Sequence, residues 1–358
     1  MIVIFTSNKS GGIIQLTHTF AKTLQELGEN VSVFCREDAT VDPNAYDVDF
    51  FAPFKTLNPK NPSVASLAKR ILDKHPNLIL FTDDAVQSAL VLSALKGKVR
   101  CVLSVHDVVS HSGISTKSIN KLKRFVKMIP IRKAYKLADE ILLYSNTSEA
   151  LFKKVYPSLA SKAVVTRLGA HLVTDITNVP PEIVNVSDYA LFFGRIDGYK
   201  GVDFLLDVFK STPQLNHINL VIAGKAVMNF SWLSAENTPN VQILNRFISD
   251  EEMNYLFKNC KYVILPYRDA SQSGIIPIAY HFGKPVLVSN VEGLLEYVDV
   301  AKTGYVYHNK EEFTELVLSM YDEAESLTVN AQSYSEKLDW KKSISTLLVN
   351  LNERKVSE

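Results

Sequence analysis

Two cations stand close together in GRIDGYKG (194–201), where the apolar run ALFF (190–193) hands over to a helical pattern. Arg195 and Lys200 on such a glycine-spaced loop are the parts of an anion site. The loop adds fixed charge to backbone N–H groups that a helix start leaves without partners. Phosphate is the anion that such an arrangement most often takes; the alternative is a pair of solvated surface charges. Further on, SQSGIIPIAYHF (271–282) sets Ser273 and Gly274 ahead of another apolar helical run. The backbone N–H groups of Ser273, Gly274 and Ile275 could give a second anion contact, or Ser273 could simply cap the helix. In the first half, VLSVHDVVSHSG (102–113) puts His106 and Asp107 directly after a strand. Such a pair can bind hydroxyl groups or move a proton near neutral pH, with His111 a lesser candidate; the alternative is a histidine packed for structure.

Three other stretches carry chemical types. SNKSGGIIQL (7–16) places Gly11 and Gly12 at the opening of a helix after the first strand. It lacks the GxGxxG pattern, which argues against a dinucleotide site, although a glycine pair still lets backbone approach a ligand closely. A tight strand-to-helix turn would explain it equally. Asp47 and Asp49 in YDVDFF mimic a metal-binding carboxylate pair, but the alternation of Tyr46, Val48 and Phe50 reads as an ordinary strand, and no metal is expected. KSINKLKRFVKMIPIRKAYK (117–136) has eight basic residues and no acidic one. Leu122, Phe125, Val126 and Ile129 fall at helical spacing there, with Pro130 expected to break or kink the helix. Such a segment suits an anionic membrane surface, or it is the solvated face of a packed helix.

All these residues follow or flank short apolar runs that read as strands. IVIF (2–5), VSVF (31–34), LILF (78–81), CVLSV (101–105) and ILLYS (141–145) alternate with helical patterns such as Ile13, Leu16, Phe20, Leu24 and Leu27. The alternation restarts after polar TDITNVPPEIVNVSD, with ALFF, LVIA (220–223), VQIL (241–244), YVIL (262–265) and PVLV (285–288). The expected fold class is therefore α/β: two doubly wound Rossmann-like domains facing across a cleft at the carboxyl ends of their strands. The boundaries are 1–173, a linker at 174–188, a second domain at 189–335, and a C-terminal helix at 336–358 returning toward the first domain. A chain of 358 residues with 46% hydrophobic and 22% charged content can bury two cores. Its net charge of +1 argues against nucleic acid as a partner. Cys35, Cys101 and Cys260 are too scattered for a disulfide framework or a metal knuckle and read as buried thiols. With no signal-peptide pattern and no run long enough to span a bilayer, the expected location is cytoplasmic.

GRIDGYKGVDFLL, IAGKA (222–226), RFISDEEMNYLFKNC (246–260) and ILPYRDASQSGIIPIAYHFGKPVLVSNVEGLLE (264–296) together resemble the family 4 glycosyltransferases, which have the GT-B fold. The resemblance implies that Arg195 and Lys200 neutralise the diphosphate of a nucleotide-sugar donor, and that the Gly11–Gly12 loop lies beside the donor phosphate and the acceptor. It also supports His106 and Asp107 as sugar-orienting residues. Most relatives carry two glutamates where this chain has Ala270 and Ile278. A polysaccharide-locus subset with a QSG-type loop similarly lacks them. Glu296 is the nearest carboxylate for a ribose or sugar hydroxyl, unless it is a solvated glutamate at a helix start. The implied reaction moves a sugar from a nucleotide-diphosphate donor to a glycan or lipid-linked glycan hydroxyl, with retention, in surface polysaccharide biosynthesis. The donor is a co-substrate, no cofactor or metal is expected, and catalysis is mainly electrostatic. Segment 117–136 would hold the protein peripherally on the inner face of a membrane. The absent glutamates leave open a non-catalytic nucleotide-sugar sensor or assembly subunit, or a GT-B sugar-nucleotide epimerase.

Overall fold

Strands with no polar face can only lie inside a layered structure, covered on both sides by helices. The computed structural model describes residues 1–109, 118–170, 176–233 and 238–356, and places these runs in two parallel sheets. His111 lies outside the described residues. The described residues form two compact units, one of 1–109, 118–170 and 340 onward, the other of 176–339.

In the first unit β1 (Ile2–Phe5), β2 (Val31–Arg36), β3 (Asp47–Phe51), β4 (Leu78–Phe81), β5 (Arg100–Ser104), β6 (Glu140–Leu143) and β7 (Ala163–Val165) are ordered β3-β2-β1-β4-β5-β6-β7. Every pairing is parallel; Ile2 sits opposite Val31 on one side and Leu78 on the other. The connecting helices are α1 (Gly12–Glu26), α2 (Pro62–Leu72), α3 (Val86–Leu95), α4 (Ser118–Leu137) and α5 (Asn146–Val155). Strand order reverses between β1 and β4, so a crevice opens at the carboxyl ends of those two strands.

The second unit repeats the plan. Its strands β8 (Tyr189–Phe193), β9 (Asn219–Ala223), β10 (Val241–Leu244), β11 (Cys260–Leu265), β12 (Val286–Ser289) and β13 (Gly304–Tyr307) are ordered β10-β9-β8-β11-β12-β13. Helices α6 (Val202–Ser211), α7 (Asp250–Asn259), α8 (Ile275–His281), α9 (Glu292–Leu295) and α10 (Lys310–Ser335) link and cover them. Here the reversal falls between β8 and β11. The last helix, α11 (Trp340–Val356), packs in the first unit. Its Ile344, Leu347 and Leu351 join a core with Ile2, Ile4, Leu16 and Phe20, and Trp340 meets Phe20 at 5.5 Å. The Arg354 guanidinium donates to the carbonyls of Ser161 and Ala163 at 2.9 and 3.0 Å.

Several local expectations change. From 176 the polar stretch expected as a linker belongs to the second unit: Ile183 is buried, Asn178 N–H donates to Glu251 O at 3.1 Å, and Arg246 holds Glu182. Pro130 does not end α4, which runs through it. The carbonyl that proline leaves without a helical donor belongs to Val126, and Val126 and Ile129 are both exposed, so water can serve that face. Asp47 and Asp49 are edge-strand carboxylates, both bound by Lys74 at 2.8 Å, with Arg70 at 3.0 Å from Asp49. The three cysteines are free and buried, and burial pushes the Cys35 thiol up to about 11 and that of Cys260 to about 12. Among the described residues, no helix is long and apolar enough to cross a membrane.

Candidate functional site

In the second unit β8 ends at Phe193, and Gly194 turns the chain at φ 129°. Arg195 follows with its side chain 61% exposed, 3.6 Å from the Asp197 carboxylate. Asp197 is itself buried and accepts the Gly198 N–H at 2.7 Å, which sets a short 3-10 turn at Gly198–Lys200. Gly201 then enters α6 in the left-handed region at φ 70°. A β-carbon there would stand 1.8 Å from the Pro266 carbonyl oxygen, so only glycine lets the loop lie flat on the end of β11. The result seats Lys200 Nζ 3.6 Å from the centroid of the Tyr267 ring and 5.0 Å from that of Tyr199. Arg268 fastens the loop: its N–H donates to Tyr199 O, and its guanidinium to Gly198 O and both Asp203 oxygens, all at 2.8 Å. Two cations thus stand at the switch point, one exposed and one half-buried on aromatic rings.

The second predicted anion contact is more constrained. Ser273 is buried, and its Oγ accepts the Ile275 N–H at 3.3 Å, so that amide has a partner within the turn. Gly274 is the N-cap of α8, which is seven residues long. The same loop abuts the start of α9, since a β-carbon on Gly293 would lie 2.2 Å from Ala270 O. Glu296, one residue past α9, is partly buried, and its carbonyl accepts from the Tyr334 hydroxyl at 3.5 Å. Ala270 and Ile278 are 8% and 3% exposed, positions where a carboxylate would need a buried partner.

In the first unit the crevice lies between the ends of β1 and β4. Buried Asp83 accepts from Thr6 Oγ1 at 3.0 Å, Ser7 N–H at 2.7 Å, Ser7 Oγ at 2.9 Å, Ala85 N–H at 3.0 Å and Ser88 Oγ at 2.5 Å. That carboxylate ties the loop after β1 to β4. Further along the loop, Gly11 at φ 84° is the N-cap of α1 without a side-chain cap, and nothing lies within 4 Å of a β-carbon built on Gly11 or Gly12. The Gly11 backbone therefore requires glycine, whereas Gly12 is simply open. His106, just past β5, stacks on Tyr144 with centroids 5.1 Å apart and places Nε2 2.8 Å from Thr82 O. A carbonyl only accepts, so Nε2 carries a hydrogen, and in the neutral tautomer that this bond selects Nδ1 is the acceptor. Asp107 is exposed beside it. Asp84 accepts the Tyr135 hydroxyl at 2.5 Å; burial raises its carboxyl above the ordinary range, and burial and then Asp84 push the Tyr135 phenol up.

In the first unit Gly11 and Gly12 follow β1, and His106 and Asp107 follow β5 next to the end of β4; in the second, Arg195 and Lys200 follow β8 and Ser273, Gly274 and Ile275 follow β11, the two strands at the reversal, while Glu296 lies beyond β12 at the end of α9. The sequence reading missed Asp83, Asp84, Tyr267 and Arg268. FTDD (81–84) offered the signal of two carboxylates at a strand's carboxyl end, and LPYRD (265–269) that of an aromatic and a cation at another.

Two doubly wound parallel sheets, with a cationic loop at the switch point of the second, define a GT-B protein. The family model described as Glycosyltransferase Family 4 matches residues 10–172, and that described as Glycosyl transferases group 1 matches 178–337. The chain belongs to the family 4 GT-B glycosyltransferases. An uncharacterized glycosyltransferase of Methanocaldococcus jannaschii is 26% identical over 174 residues, 45% of this chain and 48% of that protein. GDP-mannose:glycolipid 4-beta-D-mannosyltransferase of Xanthomonas campestris pv. campestris is 26% identical over 155 residues, 42% of this chain and 44% of that one. The chain spans about half the length of the curated relatives it matches. Anabaena HepE, solved in complex with UDP, shares the fold with a TM-score of 0.69 and 16% identity, over 100% of both chains.

Proposed function

We propose that the protein transfers a sugar from a nucleotide-diphosphate donor to a hydroxyl of a glycan or lipid-linked glycan. The observation that carries this reading is the placement of Arg195 and Lys200 where β8 hands over to α6, at the switch point of a family 4 fold. Breaking the bond between the anomeric carbon and the diphosphate leaves negative charge on the departing phosphate. Fixed cations aimed there favour the transition state over the bound donor. Arg195 supplies an open, planar pair of donors and Lys200 a held point charge. The Ser273–Gly274 turn adds backbone donors. In the first unit His106 Nδ1 accepts from a sugar hydroxyl, while Asp83 fixes the loop that carries Gly11 and Gly12. Glu296 serves a ribose or sugar hydroxyl. With retention, the leaving phosphate takes the acceptor's proton on the face it leaves, and the acceptor oxygen joins the anomeric carbon from that same face. No metal enters, because the two cations carry the compensating charge.

A role at a membrane surface in polysaccharide assembly belongs to the same reading. It is supported by α4, where Val126 and Ile129 are 38% and 56% exposed among exposed Lys127, Arg132, Lys133 and Lys136. A second reading, a nucleotide-sugar sensor without turnover, is favoured by apolar Ala270 and Ile278 where relatives carry glutamates. Incubation with a panel of nucleotide sugars, UDP-glucose and GDP-mannose included, separates the two. Release of nucleoside diphosphate that rises with added glycan acceptor supports transfer. Saturable binding without release supports the sensor, and an altered donor without release would place the chain among epimerases.

A further inference from the structure

We propose that Tyr267 is a positioning residue for Lys200, its ring face holding the ammonium where it meets a diphosphate; this rests on the diphosphate reading above. Lysine is a flexible stem with a strongly hydrated charge, so a bare lysine on a loop visits many positions. Lys200 has a seat. Its Nζ lies 3.6 Å from the Tyr267 centroid, well inside the distance at which a cation is drawn to an aromatic face. The ring cannot swing with its guest, because Tyr267 is only 2% exposed. Tyr199 packs against it edge-on, with centroids 6.5 Å apart at 71°, and offers Nζ a second ring at 5.0 Å.

Loop and ring move as one piece. Ser289 Oγ donates to Tyr267 O at 2.5 Å, and Arg268 N–H to Tyr199 O at 2.8 Å. Gly201 lies against Pro266, the residue before the tyrosine. The ring attracts the charge without neutralising it, and it occupies one side of a group with three N–H donors. Arg195 is handled differently, near the Asp197 carboxylate at 3.6 Å and largely exposed.

The test varies the ring's electrons at constant shape. Position 267 is replaced by phenylalanine and by mono-, tri- and pentafluorophenylalanine in the full chain. UDP and GDP are then titrated into each variant by calorimetry, with thermal melts to confirm that each is folded. Affinity should fall stepwise as fluorine withdraws electron density, by roughly 3- to 30-fold across the series. The dependence should vanish in a Lys200→Ala background. Tyr267→Leu, which removes the ring, should bind at least as weakly as the pentafluoro variant. A flat series with weakened binding in Lys200→Ala would overturn the positioning role and leave the diphosphate reading standing. An affinity that rises with fluorination would overturn it too, since the ring would then be drawing the lysine away from the ligand. Lys200→Ala binding both nucleotides as wild type does, or wild type binding neither, would overturn the diphosphate reading and this inference with it.

Discussion

Gly201→Ala puts a methyl group where the loop between β8 and α6 touches the end of β11. Gly97 provides a matched control, because its φ of 69° is nearly that of Gly201 at 70°. Around Gly97 nothing lies within 4 Å of an added β-carbon, whereas at Gly201 the Pro266 carbonyl oxygen would be 1.8 Å away and its carbon 2.9 Å. Both variants incur the left-handed penalty, about 1–2 kcal/mol for a residue with a β-carbon. Only Gly201→Ala adds overpacking against backbone, typically about 1–3 kcal/mol more. Gly97→Ala should therefore cost about 1–2 kcal/mol and Gly201→Ala about 2–5 kcal/mol. Urea unfolding, with each variant followed on the transition of its own unit, measures both. Equal losses would refute the claim that the cationic loop is pressed on a rigid strand end. A displaced loop also moves Lys200 off its rings, so Gly201→Ala should weaken UDP binding while Gly97→Ala leaves it alone.

Acid should weaken the second unit through Arg246. Its hydrogen bonds hold Glu182 and Glu252 below the usual carboxylate range. Folded values below the unfolded ones give stability that is complete above about pH 4.3 and lost as pH falls through the folded values. Arg246→Met should cost about 1–3 kcal/mol at pH 7, mostly through Glu252 because Glu182 is more solvated, and the gap from wild type should narrow on acidification. A gap independent of pH would contradict this. For His106, nitrogen NMR should show the hydrogen on Nε2, and His106→Phe, which keeps the ring over Tyr144, should lower turnover about tenfold or more; a hydrogen on Nδ1 would remove its acceptor role. The protein should bind vesicles containing phosphatidylserine but not neutral ones, and less as salt rises. Lys127→Gln with Lys133→Gln should reduce that binding about tenfold or more, and equal binding to both vesicle types would sink the membrane reading.

The strands were legible because parallel strands are buried on both faces: IVIF, LILF and LVIA can hardly be anything else. Edges were harder. β7 is three residues, AVV, and β13 is GYVY, too short or too mixed to stand out. Helix α4 ran past Pro130 because its exposed face tolerates an unpaired carbonyl, which a breaker rule does not weigh. The charged members of the site were legible as cations and a histidine after strands. Their supports were not. Asp83 is bound to Thr6 and Ser7 only because β1 and β4 are neighbours, and Tyr267 meets Lys200 only because β8 lies beside β11. Such pairings depend on strand order, which local patterns leave undetermined. Gly201 reads as an ordinary turn glycine until Pro266 is seen against it.

The central claim is that Arg195 and Lys200 hold a leaving diphosphate. The most direct measurement is kcat/KM for nucleoside diphosphate release from the donor that the panel identifies, in Arg195→Ala, Lys200→Ala and the double variant. A hydrogen bond to a charged group is worth about 1.5–3 kcal/mol, so each single variant should lose roughly 10- to 100-fold. The double variant should lose more than either, with thermal melts close to wild type because neither side chain is part of the core. Near-normal kcat/KM in the double variant would contradict the account.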